Sequence, residues 1–138
     1  MATGETNGPD PGDDGITDRE CEALHEVELG LEWLQRAQGH LLQFHHATGH
    51  AMDHLRAAEE ILRECGHADL ADDLRDRHLP RGVTEEDRWS YAVVEGFKDG
   101  VLDDVSTFEG RARDRIADGR RHVAERRQER EWRDRARD

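Results

Sequence analysis

Lysine is almost missing from this sequence. Of 20 basic residues only Lys98 is a lysine, and 33 acidic residues oppose them, for a net charge of −13 across 138 residues. A chain with that much like charge repels itself in dilute buffer. In molar salt the Debye length falls to roughly 3 Å and the repulsion is screened. An acidic, lysine-poor surface therefore fits a salt-filled cytoplasm, and the alternative is an arginine-rich chain from a moderate environment. Aromatic residues are also scarce, at 5%, and hydrophobic residues make up 34% against 38% charged. A thick core is excluded, and elongated packing with much surface per volume is expected. No apolar run approaches the roughly 20 residues of a membrane span.

Proline occurs only at Pro9, Pro11 and Pro80. The opening "MATGETNGPDPGDDGI" lacks the basic start and apolar run of a signal peptide, so residues 1–16 are expected to form a disordered leader on a cytoplasmic protein. The remainder, 17–138, is expected to be one helical-hairpin domain. Thr17 followed by Glu20 matches a capping box, and nothing stops a helix until Gly66, a residue suited to a left-handed C-terminal position. The spacing predicts helices over about 18–65, 68–79 and 85–135. "PRG" ends the second, Thr84 caps the third, and apolar residues recur every three or four positions from Trp89 to Val123. The fold class is therefore all-α: a long antiparallel hairpin with a short connecting helix. Counting back from the turn places Leu24 near Arg126 and His45 near residues 105–108. Glu129 with Arg133 and Glu131 with Arg135 form favourable pairs in a solvated tail expected to fray.

There are two cysteines, Cys21 and Cys65. On one helix they lie about 66 Å apart at about 1.5 Å per residue, while a disulfide needs Cα atoms within about 7 Å. Both are expected to be free thiols.

The first long helix carries two apolar seams. Leu24, Val27, Leu31, Leu34, Leu41, Met52, Leu55 and Leu62 follow a coiled-coil heptad, with Gln38, His45, Thr48 and Glu59 at the remaining positions. Beside it, Ala23, Gly30, Ala37, Phe44, Ala51, Ala58 and Cys65 repeat every seven residues. A stripe this wide calls for more than one partner helix. The reading is that two hairpins pair as a homodimeric four-helix bundle, with Ala37, Phe44, Ala51 and Ala58 as the oligomer interface. The alternative is a monomer whose alanines serve helix propensity.

The densest chemical lead is "HHATGHAMDH", residues 45–54. His46, His50 and His54 follow at i, i+4 and i+8, with Asp53 beside them. Such a row can offer pairs of imidazoles to Zn²⁺, Ni²⁺ or Cu²⁺. His46 and His54 are separated by roughly 12 Å along the axis, so one ion takes two of them and needs further ligands from elsewhere. The competing reading is a solvated face on which histidine replaces lysine. His45 falls in the core seam and is expected to hydrogen-bond across the bundle, while His25, His40, His67, His78 and His122 carry no separate pattern. Ferritin-like di-iron bundles need inward-facing Glu-x-x-His pairs. Glu22 with His25 and Glu64 with His67 match that spacing but face outward or follow Gly66.

No phosphate-binding glycine loop, Cys-x-x-Cys pair or nucleophile with an evident base occurs in the sequence, so no catalytic residue is assigned. Residues 120–138 hold eight arginines against five acids, but the overall charge opposes nucleic acid and no aromatics interleave. Protein partners are favoured instead. The stretches "HEVELGLEWL", "GHAMDHL", "LPRGV", "DRWSY" and "RHVAERRQEREW" resemble those of small helical proteins of halophilic archaea, across residues 20–135. That resemblance implies a salt-adapted helical protein and brings no particular activity. The expectation is thus a non-enzymatic, homo-oligomerising interaction protein, with transition-metal binding through the histidine row as the alternative.

Overall fold

The computed structural model describes residues 14–137. All regular structure among them is helical: α1 (Asp18–Glu64), α2 (Ala68–Asp73), a π-helical turn (Leu74–His78), α3 (Ser90–Phe97), a second π-helical turn (Lys98–Leu102), α4 (Asp103–Ala117) and α5 (Val123–Arg135). No helix among the described residues is long and apolar enough to cross a membrane. Residues 1–13 of the expected leader, and Asp138, lie outside the described residues. Residues 14–16 depart from that expectation, because Ile16 is buried and Asp14 is held by Arg127.

Both ends of α1 follow from local chemistry. The Glu20 N–H donates to Thr17 Oγ1 at 3.1 Å, and the Thr17 N–H donates to Glu20 Oε1 at 2.9 Å. This reciprocal capping box satisfies amides that the first turn leaves without partners. Ile16 before the cap and Cys21 in the helix join one buried cluster, the arrangement of a hydrophobic staple. At the far end Gly66 adopts φ +86°. The Gly66 N–H reaches Arg63 O at 3.2 Å and the His67 N–H reaches Leu62 O at 2.9 Å, closing the helix as a Schellman motif.

The single helix expected over 85–135 is instead three α-helices. Thr84 caps none of them. Its Oγ1 accepts the Arg88 N–H at 3.1 Å and its carbonyl accepts the Asp87 N–H at 3.0 Å. Asp87 then turns left-handed at φ 61°. Asp87 Oδ1 takes the Gly82 N–H at 2.6 Å, and Arg88 O takes the Val83 N–H at 2.7 Å. A Cβ on Gly82 would meet the Asp87 carbonyl carbon at 2.4 Å, so only glycine lets the turn close. Helix formation is thereby delayed to Ser90. Gly100, with non-helical φ −94° and ψ −107°, kinks the chain between α3 and α4, and the next break is Asp118-Gly119, both left-handed, at φ 52° and 80°. The Gly119 N–H bonds Arg113 O at 3.2 Å and the Arg120 N–H bonds Ala117 O at 3.0 Å. This ends α4, and α5 begins only after His122, itself at φ 60°.

The described chain divides into two compact units. The first comprises residues 14–35 and 101–137, and the second comprises 36–100. The first has a core of Ile16, Cys21, Leu24, Ala117 and Val123, with Ala112, Ile116 and Ala124 packed on it. An ion-pair clasp sits beside this core. Arg127 Nε and Nη2 donate to the two Asp14 oxygens at 2.9 and 2.8 Å, Nη1 donates to Asp18 at 3.0 Å, and Nη2 also donates to the Ile16 carbonyl. These bonds, Asp14 foremost, hold the Arg127 guanidinium more firmly protonated than an exposed arginine. Burial pushes the Cys21 thiol above its ordinary value of 9.0, with the Arg127 charge acting the other way.

In the second unit the buried residues are Ala71, Gly82, Ser90 and Val94, none larger than valine. Arg63 ties α1 to α2 by pairing with Asp72 at 3.0 Å, while also holding Glu59 at 3.1 Å. Cys21 is buried, Cys65 is exposed, and both are free thiols. In the tail, Arg133 meets Glu129 at 2.8 Å and Arg135 meets Glu131 at 3.9 Å. α5 ends at Arg135, the end expected for the last helix.

Candidate functional site

The histidine row lies in the second unit. His46, His50, His54 and Asp53 are all exposed on α1, and no group of three ligand atoms gathers around them among the described residues. His45 behaves differently. Its Nδ1 lies 2.7 Å from Ser90 Oγ in a hydrogen bond to the first turn of α3, and its ring is tilted against His46 with centroids 5.7 Å apart. The cross-helix bond that its seam position predicts is present, but its partner is residue 90 rather than 105–108. The register changes because α3 begins beside His45, in the middle of α1, and not beside the C-terminal end of α1 near residue 65. Two turns back along α1 and one turn on along α3, Gln38 Nε2 donates to Val94 O at 3.5 Å, while Gln38 Oε1 is buried with no hydrogen-bond partner.

These two contacts turn the heptad seam of α1 toward α3. The neighbouring small-residue seam remains open within one chain: Phe44 and Ala51 are exposed, and Ala37 and Ala58 are half-buried. Leu42, Leu55, Ile61, Trp89 and Tyr91 are also exposed in this unit, Ile61 at 57% and Tyr91 at 56%. No large side chain is fully buried among the described residues.

A second location emerges in the first unit. A cleft of about 170 Å³ is bordered by Glu28 and Glu32 of α1, Glu109 of α4, Glu125 of α5, and Arg121 and His122 of the connection before α5. Glu109 is only 6% exposed, and Arg113 neutralises it through bonds of 2.9 and 3.3 Å. The same arginine donates to the Gly119 carbonyl at 3.2 Å and so braces the break after α4. At the edge of the cleft His25, Glu28 and Glu125 bring one ligand atom each within 4.8 Å of one another. His25 Nδ1 is 3.9 Å from Glu125 Oε2, and the His122 backbone N–H donates to Glu28 Oε2 at 3.4 Å.

Sequence reasoning missed this cluster because it tested Glu-x-x-His spacing and set His25 and His122 aside. The informative order is the reverse. "HEVE" at 25–28 and "HVAE" at 122–125 are both His-x-x-Glu, and the fold sets each histidine beside the glutamate of the other pair. Comparison with family models, curated proteins and solved structures gives no match for the chain.

Proposed function

We propose that the chain is a non-enzymatic, salt-adapted cytoplasmic interaction protein that works by pairing with a second copy of itself. In this reading each copy contributes an antiparallel helical hairpin, and two hairpins form a homodimeric four-helix bundle. The observation that carries it is the apolar surface of the second unit. Its largest buried residue is valine, while Phe44, Leu55, Ile61 and Tyr91 lie exposed. Burial of apolar surface is the main term favouring association, and a second copy supplies the missing layer.

The sequence of the seam specifies how two copies meet. With a twofold axis crossing α1 between Ala47 and Thr48, Ala37 of one copy falls opposite Ala58 of the other, and Phe44 falls opposite Ala51. A large side chain then faces a small one at both symmetry-related contacts, which is how closely approaching helices interdigitate. A twofold interface is self-complementary by construction. The acidic surface works against association in dilute buffer, and concentrated salt removes that opposition.

The test is solution mass in concentrated KCl. Wild type is expected at twice the 15.8 kDa chain mass. Ala51→Glu, which sets a charge against Phe44 of the other copy, is expected at the chain mass. A variant whose mass matches wild type removes the seam from the interface. In this reading the histidine row 46–54 stays a solvent-facing helix surface.

A further inference from the structure

We propose that His25, Glu28 and Glu125 form a binding site for one first-row transition-metal dication, of the class that takes mixed imidazole and carboxylate ligands. The site lies in the first unit and does not depend on the pairing of copies through the second.

The donor set comes first. Zinc and its neighbours accept imidazole nitrogen at about 2.0–2.1 Å and carboxylate oxygen at about 2.0–2.2 Å, so adjacent ligand atoms on one tetrahedral ion lie about 3.3 Å apart. The three atoms here lie within 4.8 Å of one another, and His25 Nδ1 is already 3.9 Å from Glu125 Oε2. Binding would require the side chains to rotate and close that gap. His25 and Glu28 occupy successive turns of one rigid helix, and Glu125 approaches from α5. One ion would therefore link two elements that are distant in sequence.

Polar bookkeeping within the cluster also favours an ion. The His25 side chain is 36% exposed, but its Nδ1 atom is shielded from solvent and makes no hydrogen bond, although a shielded ring nitrogen ordinarily has a partner. With the ring proton on Nε2, the Nδ1 lone pair faces the two carboxylates, where a cation suits it and another acceptor does not. Of the acidic groups at the cleft, Glu109 is neutralised by Arg113, whereas Glu28 and Glu125 are not paired with arginine among the described residues. A dication would offset the repulsion between these two carboxylates and give the nitrogen its partner. His122, placed beside Glu28 by its backbone bond, also lines the cleft.

The mixed donor set sets the metal class. One imidazole with two carboxylates suits Zn²⁺, Mn²⁺ or Fe²⁺, whereas an all-oxygen site would select Mg²⁺ or Ca²⁺.

The experiment uses the full, tag-free chain in concentrated KCl, dialysed against Zn²⁺ and quantified by elemental analysis, with far-ultraviolet circular dichroism on every sample. Glu125→Gln changes an exposed side chain at constant shape. It is expected to keep the helical spectrum and bind one Zn²⁺ per chain fewer than wild type, and His25→Gln is expected to lose the same ion. His46→Ala/His50→Ala is expected to retain it. If Glu125→Gln binds as many ions per chain as wild type, or if the only ion lost is lost from the His46/His50 variant, the site is overturned.

Discussion

The two units solve the problem of a thin core in opposite ways. The first gathers Ile16, Cys21, Leu24, Ala117 and Val123 into one buried cluster, and the Asp14–Arg127 clasp fastens the segment before α1 to α5, although Trp33, Phe108 and Trp132 stay exposed. The second buries nothing larger than valine and leaves Phe44, Ile61 and Tyr91 in solvent. Composition alone does not separate them, because both are helical, acidic and poor in aromatics. The separation lies in what is buried: the first unit gathers isoleucine and leucine into one cluster, and the second does not. A unit with its own core holds its structure at any protein concentration, whereas one with an open apolar face gains stability by mass action with a partner.

The largest expected effect tests the self-contained unit. Leu24 is 5% exposed, and truncating a buried leucine costs about 3 kcal/mol. Leu24→Ala should therefore lower the urea midpoint equally in dilute and concentrated protein. Ile61→Ala should act oppositely: little change in dilute protein and a clear loss at concentrations where two copies pair. A concentration-independent loss in both variants would erase the distinction between the units.

Arg127→Ala ranks next. It leaves Asp14, whose side chain is 10% exposed, without its main partner. Breaking a buried pair costs about 3–5 kcal/mol; the partial exposure of Arg127, at 23%, reduces the expected loss to about 2 kcal/mol. Equilibrium unfolding checks this. A change below a few tenths would mean that the clasp only decorates the core.

Thr17→Ala removes the side-chain acceptor of the capping box and should cost about 1 kcal/mol. Amide exchange should quicken in the first turn of α1 and stay unchanged around Ser90, since the two regions belong to different units.

The smallest effect concerns pH. The Cys21 thiol is raised above its ordinary value of 9.0 by burial. A raised folded-state value means that the neutral thiol is favoured in the fold. Its contribution is therefore complete below pH 9 and is lost as pH rises through the higher folded value. Stability followed from pH 8 upward should fall more in wild type than in Cys21→Ala. Parallel curves would show that the thiol carries no share of the alkaline loss.

Much of this was legible in the sequence where the determinants are local. Thr17 and Glu20 lie three residues apart, so their capping box can be read without knowing the fold. Gly66 is likewise a local stop. The break at Asp118-Gly119 was equally local but hidden, because the apolar spacing of Ala112, Ile116 and Val123 runs across it in helical step. The closed turn at 82–88 was masked by Thr84 and three acids that mimic a helix start, whereas the Asp87 carboxylate serves the Gly82 amide instead. The His25, Glu28 and Glu125 cluster needed the chain to bring α5 against α1 across about a hundred residues, and only the repeated His-x-x-Glu spacing hinted at it.

In the proposed dimer the open face of the second unit belongs to a second copy in antiparallel register. The most direct measurement is light-scattering mass, in concentrated KCl, of Phe44→Ala, Ala51→Phe and the two changes combined. If Phe44 of one copy seats on Ala51 of the other, each single change weakens the dimer, by losing the large side chain or by crowding two of them. The combined exchange restores the match and returns the mass to twice the chain. Three variants with the mass of wild type, or a double variant no better than the singles, would contradict the account.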